Sequence, residues 1–375
     1  MQIDLALIEL GVIMLTLAIL GRAATRFGIP TIPVFLVAGL FFGNGGFMSI
    51  DDAAAFIEIG ASLGVIFLLF MLGLEFTPRE LNQSIRANVG AGLIDVVLNV
   101  APGVAAGLIL GWGPLGAAVL GGVTYISSSG IIAKLLTDLG RLGNRETPLI
   151  LSILVIEDIM MAIFLPVIAV MLSGGSASSG LVSGTVAIAI VVTVLLFSPF
   201  LGSIINKWAG NSSDEMILIT LLGLVTFVAG LAEYMHISYA IGAFLLGIAI
   251  SGQVAERARK MLMPLRDAFA ALFFVYFGIT VDPASLTGVV VPALALAAVG
   301  VATKMGTGWW AAHRAGLTRK AVLRTSLMLI PRGEFSIVLA GIGVASGLDN
   351  ELGPLVVAYV LILAVGGSLA IRFTK

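Results

Sequence analysis

Apolar runs of membrane-spanning length follow one another along almost the entire sequence, and this pattern restricts the possible folds more than any other feature. Hydrophobic residues make up 59% of the 375 residues, whereas charged residues make up only 11%. A typical soluble domain is about 25% charged. Within lipid, helices and closed barrels are the structures that satisfy every backbone polar group, and about 20 apolar residues suffice for one spanning helix. The sequence therefore predicts an all-α polytopic membrane protein.

Hydropathy divides the chain into about thirteen predicted transmembrane helices. The first run has no basic stretch before it, so we interpret it as a retained helix and not as a cleaved signal. The predicted spans lie near residues 4–21, 31–44, 57–76, 86–110, 114–139, 147–172, 181–205, 214–232, 237–252, 264–281, 288–312, 320–346 and 354–372.

Basic residues alternate between successive loops of this arrangement. All but two of the 20 Lys and Arg residues fall in the loops after odd-numbered spans or in the C-terminal tail. Because basic loops stay in the cytoplasm, the N-terminus is predicted outside and the C-terminus inside the cell. The net charge of −1 gives no indication of a nucleic-acid partner. The expected environment of the protein is the lipid bilayer. The two remaining basic residues, Lys304 and Arg332, fall inside predicted spans.

Two adjacent carboxylates, Glu157 and Asp158, lie in the middle of the predicted span 147–172. A charge at the bilayer centre costs about 2.5–3.5 kcal/mol on insertion scales, so such residues pair with one another or serve a function. Neighbouring residues on a helix point about 100° apart. We therefore expect Asp158 to face an ion path and Glu157 to face Lys304. The alternatives are a purely structural Glu157–Lys304 pair, or neutral carboxyls that join helices.

Two predicted spans contain residues that interrupt a helix. The fifth carries Ser127, Ser128 and Ser129 next to a glycine, and the twelfth carries Pro331 followed closely by Gly333. Serine hydroxyls compete for backbone hydrogen bonds, and proline removes a backbone N–H. Both spans are therefore predicted to be discontinuous at these residues.

Interrupted spans at corresponding places in two halves are the best sequence indication of a transporter site. Here each interruption falls in the fifth span of its half, with opposite directions through the membrane. We predict a single antiporter-like membrane domain over residues 1–375, without a soluble regulatory domain in this chain. Its first repeat would cover residues 1–172 and its inverted second repeat residues 214–372, with crossed broken helices and a linker helix at 181–205.

Three further intramembrane charges accompany this site: Asp95, Arg332 and Glu334. Asp95 lies one helical turn before Asn99, so it is expected either to make a helix–helix hydrogen bond as a neutral acid or to take part in the ion path. Arg332 and Glu334 adjoin the second interruption, where they are expected to compensate the charged ends of the broken helices.

These residues favour exchange of a monovalent cation for protons. A buried carboxylate such as Asp158 can hold either a proton or a cation, and the serine hydroxyls and freed carbonyls offer further oxygen ligands. Symport of an organic anion with sodium is an alternative, although the excess of acids disfavours it. An intramembrane serine protease is a second alternative, but the predicted spans of this sequence place no histidine in the middle of the membrane to pair with a serine.

Several motifs resemble the monovalent cation:proton antiporter-2 family, with particular similarity to its Kht-type bacterial potassium/proton antiporters. They comprise the Glu157–Asp158 pair and residues 67–76, 126–136, 269–282 and 331–338. The resemblance implies a non-enzymatic, homodimeric thirteen-helix protein of the bacterial inner membrane, with an elevator-like mobile core.

The same resemblance implies roles for individual residues and partners. The second acid of the pair, Asp158, corresponds to the ion-binding carboxylate, and Lys304 matches a lysine that pairs with the first acid in sodium-type members. The transported ions would be protons and K⁺, with Na⁺ as the alternative, and no cofactor is implied. A separate cytoplasmic nucleotide-binding subunit is a possible regulator.

Overall fold

The computed structural model describes residues 3–43, 53–75, 78–173, 213–234, 239–250 and 253–374. All regular structure within these ranges is helical. The helices are α1 (Ile3–Phe27), α2 (Thr31–Phe42), α3 (Ala54–Glu75), α4 (Pro78–Ile109), α5 (Gly113–Tyr125), α6 (Ser129–Asp138), α7 (Thr147–Ser173), α8 (Asp214–Tyr234), α9 (Tyr239–Ala249), α10 (Gln253–Thr280), α11 (Leu286–Arg314), α12 (Arg319–Met328), α13 (Glu334–Ala345) and α14 (Leu352–Arg372).

Nine helical segments in the described part of the chain are long and apolar enough to cross a membrane. They agree with the predicted all-α membrane fold, and α2 and α13 are shorter apolar helices. The predicted linker helix at 181–205 lies outside the described residues. The division into two inverted repeats stays a prediction.

Both predicted interruptions are present. Helix α5 ends at Tyr125 and α6 begins at Ser129, with Ile126 in an extended conformation between them. Helix α12 ends at Met328, and α13 begins only at Glu334. Each predicted span is therefore two short helices joined by non-helical backbone, which leaves peptide groups free for other partners.

The chain divides into two compact units, and all the predicted site residues belong to one of them. This unit comprises Met1–Ala54, Ser84–Asp158 and Phe274–Lys375. Its apolar core includes Ile132 and Leu136 from α6, which are packed with Ile150 and Ile153 from α7. Residues of α4, α11, α12 and α14 complete this cluster. The core thereby fixes the second half of the broken α5–α6 segment against α7.

Close contact between α4 and α5 depends on a glycine. A Cβ atom added at Gly103 would lie 2.2 Å from Thr124 Oγ1 and 2.4 Å from the Leu120 carbonyl oxygen. Small residues allow helices in a membrane to approach this closely. The absence of a side chain at Gly103 therefore places α4 directly beside the end of α5.

The second unit comprises Ala55–Gln83 and Ile159–Phe273. Its core joins α3, α8, α9 and α10 through apolar side chains that include Phe70, Leu221 and Leu262. Gly73 and Gly247 face each other in this unit, since a Cβ on either would lie 2.8 Å from the other's Cα.

Candidate functional site

The two interruptions lie against each other. The backbone N–H of Ser128 donates to the Pro331 carbonyl at 2.9 Å, and the Ser127 hydroxyl donates to the Leu329 carbonyl at 3.0 Å. Backbone groups that leave a helix inside a membrane need protein partners, because lipid offers none. Each interruption supplies such partners for the other.

Arg332 is fully buried and binds the carbonyl ends of both broken helices. Its guanidinium donates to Leu329 and Ile330, just after α12, at 3.1 and 2.9 Å, and to Thr124 in the last turn of α5 at 2.9 Å. Helix C-termini carry partial negative charge. A fixed cation at this point favours the compensating role predicted for Arg332.

Glu334 occupies the opposite kind of position. It is the first residue of α13, and its Oε2 accepts a hydrogen bond from the Ser128 hydroxyl at 2.9 Å, one residue before α6 begins. Helix N-termini carry partial positive charge. The carboxylate therefore lies near the N-terminal ends of both α6 and α13, and its compensating role stays a prediction.

Glu157 is buried on α7 and accepts hydrogen bonds from both the backbone N–H and the hydroxyl of Ser127. The Ser127 N–H follows the end of α5, so the helix break is what makes this donor available. Lys304 Nζ donates to Glu157 Oε1 at 2.9 Å. The Glu157–Lys304 contact expected from helix geometry is present.

Asp158 contacts a different helix from its neighbour. Both of its carboxylate oxygens accept from the hydroxyl of Ser129, the first residue of α6, at 3.2 and 3.0 Å. It is 9% exposed, whereas Glu157 is 1% exposed. Ser129 is thus the predicted serine that lies beside Asp158. The Ser127 and Ser128 hydroxyls bind groups at the helix breaks instead.

Lys304 is fully buried on α11 and lies between two carboxylates. Besides Glu157, its Nζ donates to Asp95 on α4, with distances of 2.9 Å to Oδ1 and 3.0 Å to Oδ2. The ammonium also lies 5.3 Å from the ring centroid of Tyr125, within the range of a cation–π interaction. Lys304 thus joins three helices, α4, α5 and α7, to α11.

The Asp95–Lys304 pair was not predicted from the sequence. Asp95 also accepts from the Asn99 amide at 2.9 Å, and the Asn99 side-chain oxygen accepts from Thr303 at 2.8 Å. Asp95, Asn99 and Gly103 recur every fourth residue, so they form a polar and small stripe on one face of α4. This stripe is a sequence signal that indicates a helix-contacting face of α4, but it does not specify which helix packs there.

Comparison with known proteins places this geometry in context. Residues 12–375 match the family model described as "Sodium/hydrogen exchanger, transmembrane". The chain is 36% identical over 381 residues to the K⁺/H⁺ antiporter subunit KhtU of Bacillus subtilis (strain 168), with 99% of this chain and 94% of KhtU covered. It is 30% identical over 356 residues to the ammonium/H⁺ antiporter subunit AmhT of Alkalihalophilus pseudofirmus, with 91% and 87% covered.

A solved structure shares the fold. The sodium proton antiporter MjNhaP1 from Methanocaldococcus jannaschii superposes with a TM-score of 0.73 at 19% sequence identity. The match covers 100% of this chain and 99% of that one. The similarity therefore extends over the entire fold and includes the segments that carry the buried charges.

Proposed function

Because this chain belongs to the sodium/hydrogen exchanger family, we propose that it exchanges a monovalent cation for protons across a membrane. The observation that carries this proposal is the position of Asp158. Its carboxylate is the least buried of the acids Asp95, Glu157 and Asp158, and it lies at the start of α6 beside the Ser129 hydroxyl. An acid in this position can bind either a proton or a cation, and binding of one disfavours binding of the other.

The exchange follows from competition for one carboxylate. A proton neutralises Asp158 by a covalent bond, whereas a monovalent cation neutralises it by direct coordination. Ser129 places its hydroxyl oxygen beside the Asp158 carboxylate, so it would act as a second ligand of the cation. Ser127 and Ser128 would act differently, by holding the two interruptions together around this site.

Potassium is the cation that we favour, and sodium is the alternative. The support for potassium is the similarity to KhtU along the whole chain. The support for sodium is Lys304, since its contact with the first acid of the pair is the feature expected for sodium-type members.

The larger arrangement that we propose follows the sequence pattern. Two inverted repeats would bring the interrupted helices to the middle of a bacterial inner membrane, and an elevator-like movement of the core would expose Asp158 to each side in turn. The C-terminus would be cytoplasmic. KhtU and AmhT are both named as subunits, which supports association with another polypeptide, and a homodimer is the assembly that we expect.

The alternatives drawn from the sequence receive no support from the described contacts. The acids Asp95, Glu157 and Asp158 outnumber Lys304 at the site, which is unfavourable for an organic anion. The Ser127 hydroxyl donates to the Glu157 carboxylate and the Leu329 carbonyl, and not to a histidine base of the kind that activates a serine nucleophile. His313, the described histidine, stacks on Trp309 at the end of α11, away from that serine.

The direct test is exchange by the purified chain in proteoliposomes that contain a pH-sensitive dye. Addition of K⁺ or Na⁺ should change the internal pH, and Asp158→Asn should abolish this change because the amide cannot bind a proton in the working range. Asp349→Asn is the matched control, since Asp349 is exposed in the loop before α14. Unchanged exchange by Asp158→Asn would refute the assignment.

A further inference from the structure

Lys304 directs its side-chain hydrogen bonds to two carboxylates. A lysine ammonium has three N–H donors and no acceptor. The three contacts of its Nζ are two with Asp95, at 2.9 and 3.0 Å, and one with Glu157, at 2.9 Å. Lys304 and Asp95 are both fully buried. The number of carboxylate contacts thus equals the number of N–H donors of the ammonium.

The second carboxylate changes what loss of a proton from Lys304 would require. If the lysine faced Glu157 alone, transfer of its proton would leave one carboxylate to be neutralised. With Asp95 also in contact, two buried carboxylates would face a neutral amine. A buried charge that loses its partner is strongly unfavourable. Asp95 therefore acts against the release of a proton from Lys304.

Asp95 is itself held in place by its neighbours. The Asn99 amide donates to Asp95 Oδ1 at 2.9 Å, and the Asn99 carbonyl oxygen of the side chain accepts from Thr303, one residue before Lys304. The backbone carbonyl of Asn99 accepts from Thr124 at 2.8 Å, which ties this turn of α4 to the end of α5. These bonds fix the carboxylate of Asp95 beside the ammonium.

The other charged or aromatic groups near Lys304 do not take the place of Asp95 or Glu157 as acceptors for its ammonium. Tyr125 presents its ring to the ammonium, and the guanidinium of Arg332 donates to backbone carbonyls at the helix breaks. Asp158 accepts a hydrogen bond from Ser129 at the start of α6. The ammonium of Lys304 is thus shared between Asp95 and Glu157.

We propose that Asp95 keeps Lys304 ionised throughout the transport cycle, so that one proton is exchanged for each monovalent cation and no net charge moves. Asp95 is then a positioning residue, because it acts through Lys304 and does not contact the cation. The proton and the cation alternate on Asp158 alone. This inference rests on the proposed exchange function and specifies its stoichiometry.

The experiment measures charge and pH in the same proteoliposomes of the full-length chain, with Na⁺ or K⁺ jumps as the probe. Currents are recorded on a solid-supported membrane, and a trapped dye reports internal pH. The wild-type protein should change the internal pH without a current above that of Asp158→Asn. Asp95→Asn should exchange with a current, because Lys304 is left with one carboxylate and can release its proton.

Asp95→Glu provides a conservative comparison that keeps the carboxylate, and it should remain electroneutral. A wild-type current proportional to the pH change would overturn the inference while leaving the exchange function intact, and it does not depend on any variant folding. Electroneutral exchange by a folded Asp95→Asn would overturn it as well. Absence of any cation-driven pH change in the wild type would refute both proposals.

Discussion

Glu157 and Asp158 are consecutive residues of α7, yet their carboxylates bind different helices. Glu157 contacts Lys304 on α11 and Ser127 after α5, whereas Asp158 contacts Ser129 at the start of α6. The angle of about 100° between neighbouring residues on a helix accounts for this division. Glu157 is thereby paired with the buried Lys304, whereas Asp158 lies at the less buried end of the site.

Removal of the Ser129 hydroxyl should weaken cation binding without abolishing exchange. Ser129→Ala deletes one neutral oxygen ligand beside Asp158, which corresponds to about 1 kcal/mol or roughly a fivefold increase in the KM for the cation. Ser152→Ala is the control on α7, because the Ser152 hydroxyl donates to the Pro148 carbonyl of its own helix. Equal KM values for both variants would argue against Ser129 as a ligand.

Loss of the buried lysine should destabilise the protein strongly. Lys304→Met leaves Asp95 and Glu157 buried without their cation, and removal of one partner from a buried ion pair costs about 3–5 kcal/mol. Thermal unfolding in detergent measures the effect. Lys134→Met is the matched control, since the Lys134 side chain is 50% exposed and pairs with Asp138 on the surface of α6. Similar melting temperatures for the two variants would contradict this expectation.

Replacement of Arg332 by lysine should destabilise the protein, although the substitution conserves the charge. Arg332 reaches carbonyls of two chain segments, Thr124 on one side and Leu329 and Ile330 on the other. A lysine ammonium lacks the planar fork that spans them. Loss of a hydrogen bond from a charged donor costs about 1.5–3 kcal/mol. Thermal unfolding should show this loss for Arg332→Lys but not for Arg319→Lys, where the arginine is exposed.

A methyl group at Gly103 should separate α4 from α5. Its Cβ would lie 2.2 Å from Thr124 Oγ1, so backbone must shift, at a cost of about 1–3 kcal/mol for an overpacked contact. Gly103→Ala should therefore lower both the melting temperature and the exchange rate. Gly223→Ala on α8 meets nothing within 4 Å and should be neutral or stabilising by about 0.5–1 kcal/mol. A stabilising effect of Gly103→Ala would refute the close contact.

Sequence patterns predicted the local features of the site more completely than its tertiary contacts. The interruptions follow from the chemistry of Pro331 and of the serine run, and the separate directions of Glu157 and Asp158 follow from helix geometry alone. The contact between Asp95 and Lys304 depends on which helices are neighbours, and no local pattern specifies that. For the same reason, the three serines look equivalent in the sequence, although Ser127 and Ser128 have partners different from that of Ser129.

The hydrogen bond from Ser128 to Pro331 has a mechanical consequence. It joins main-chain atoms of two segments that are about 200 residues apart in the sequence, and Arg332 and Ser127 reinforce the same junction. Movement of one segment past the other would leave several peptide groups without hydrogen-bond partners inside the membrane, where lipid offers none. The junction would therefore keep the two broken helices together during the proposed movement that exposes Asp158 to each side in turn.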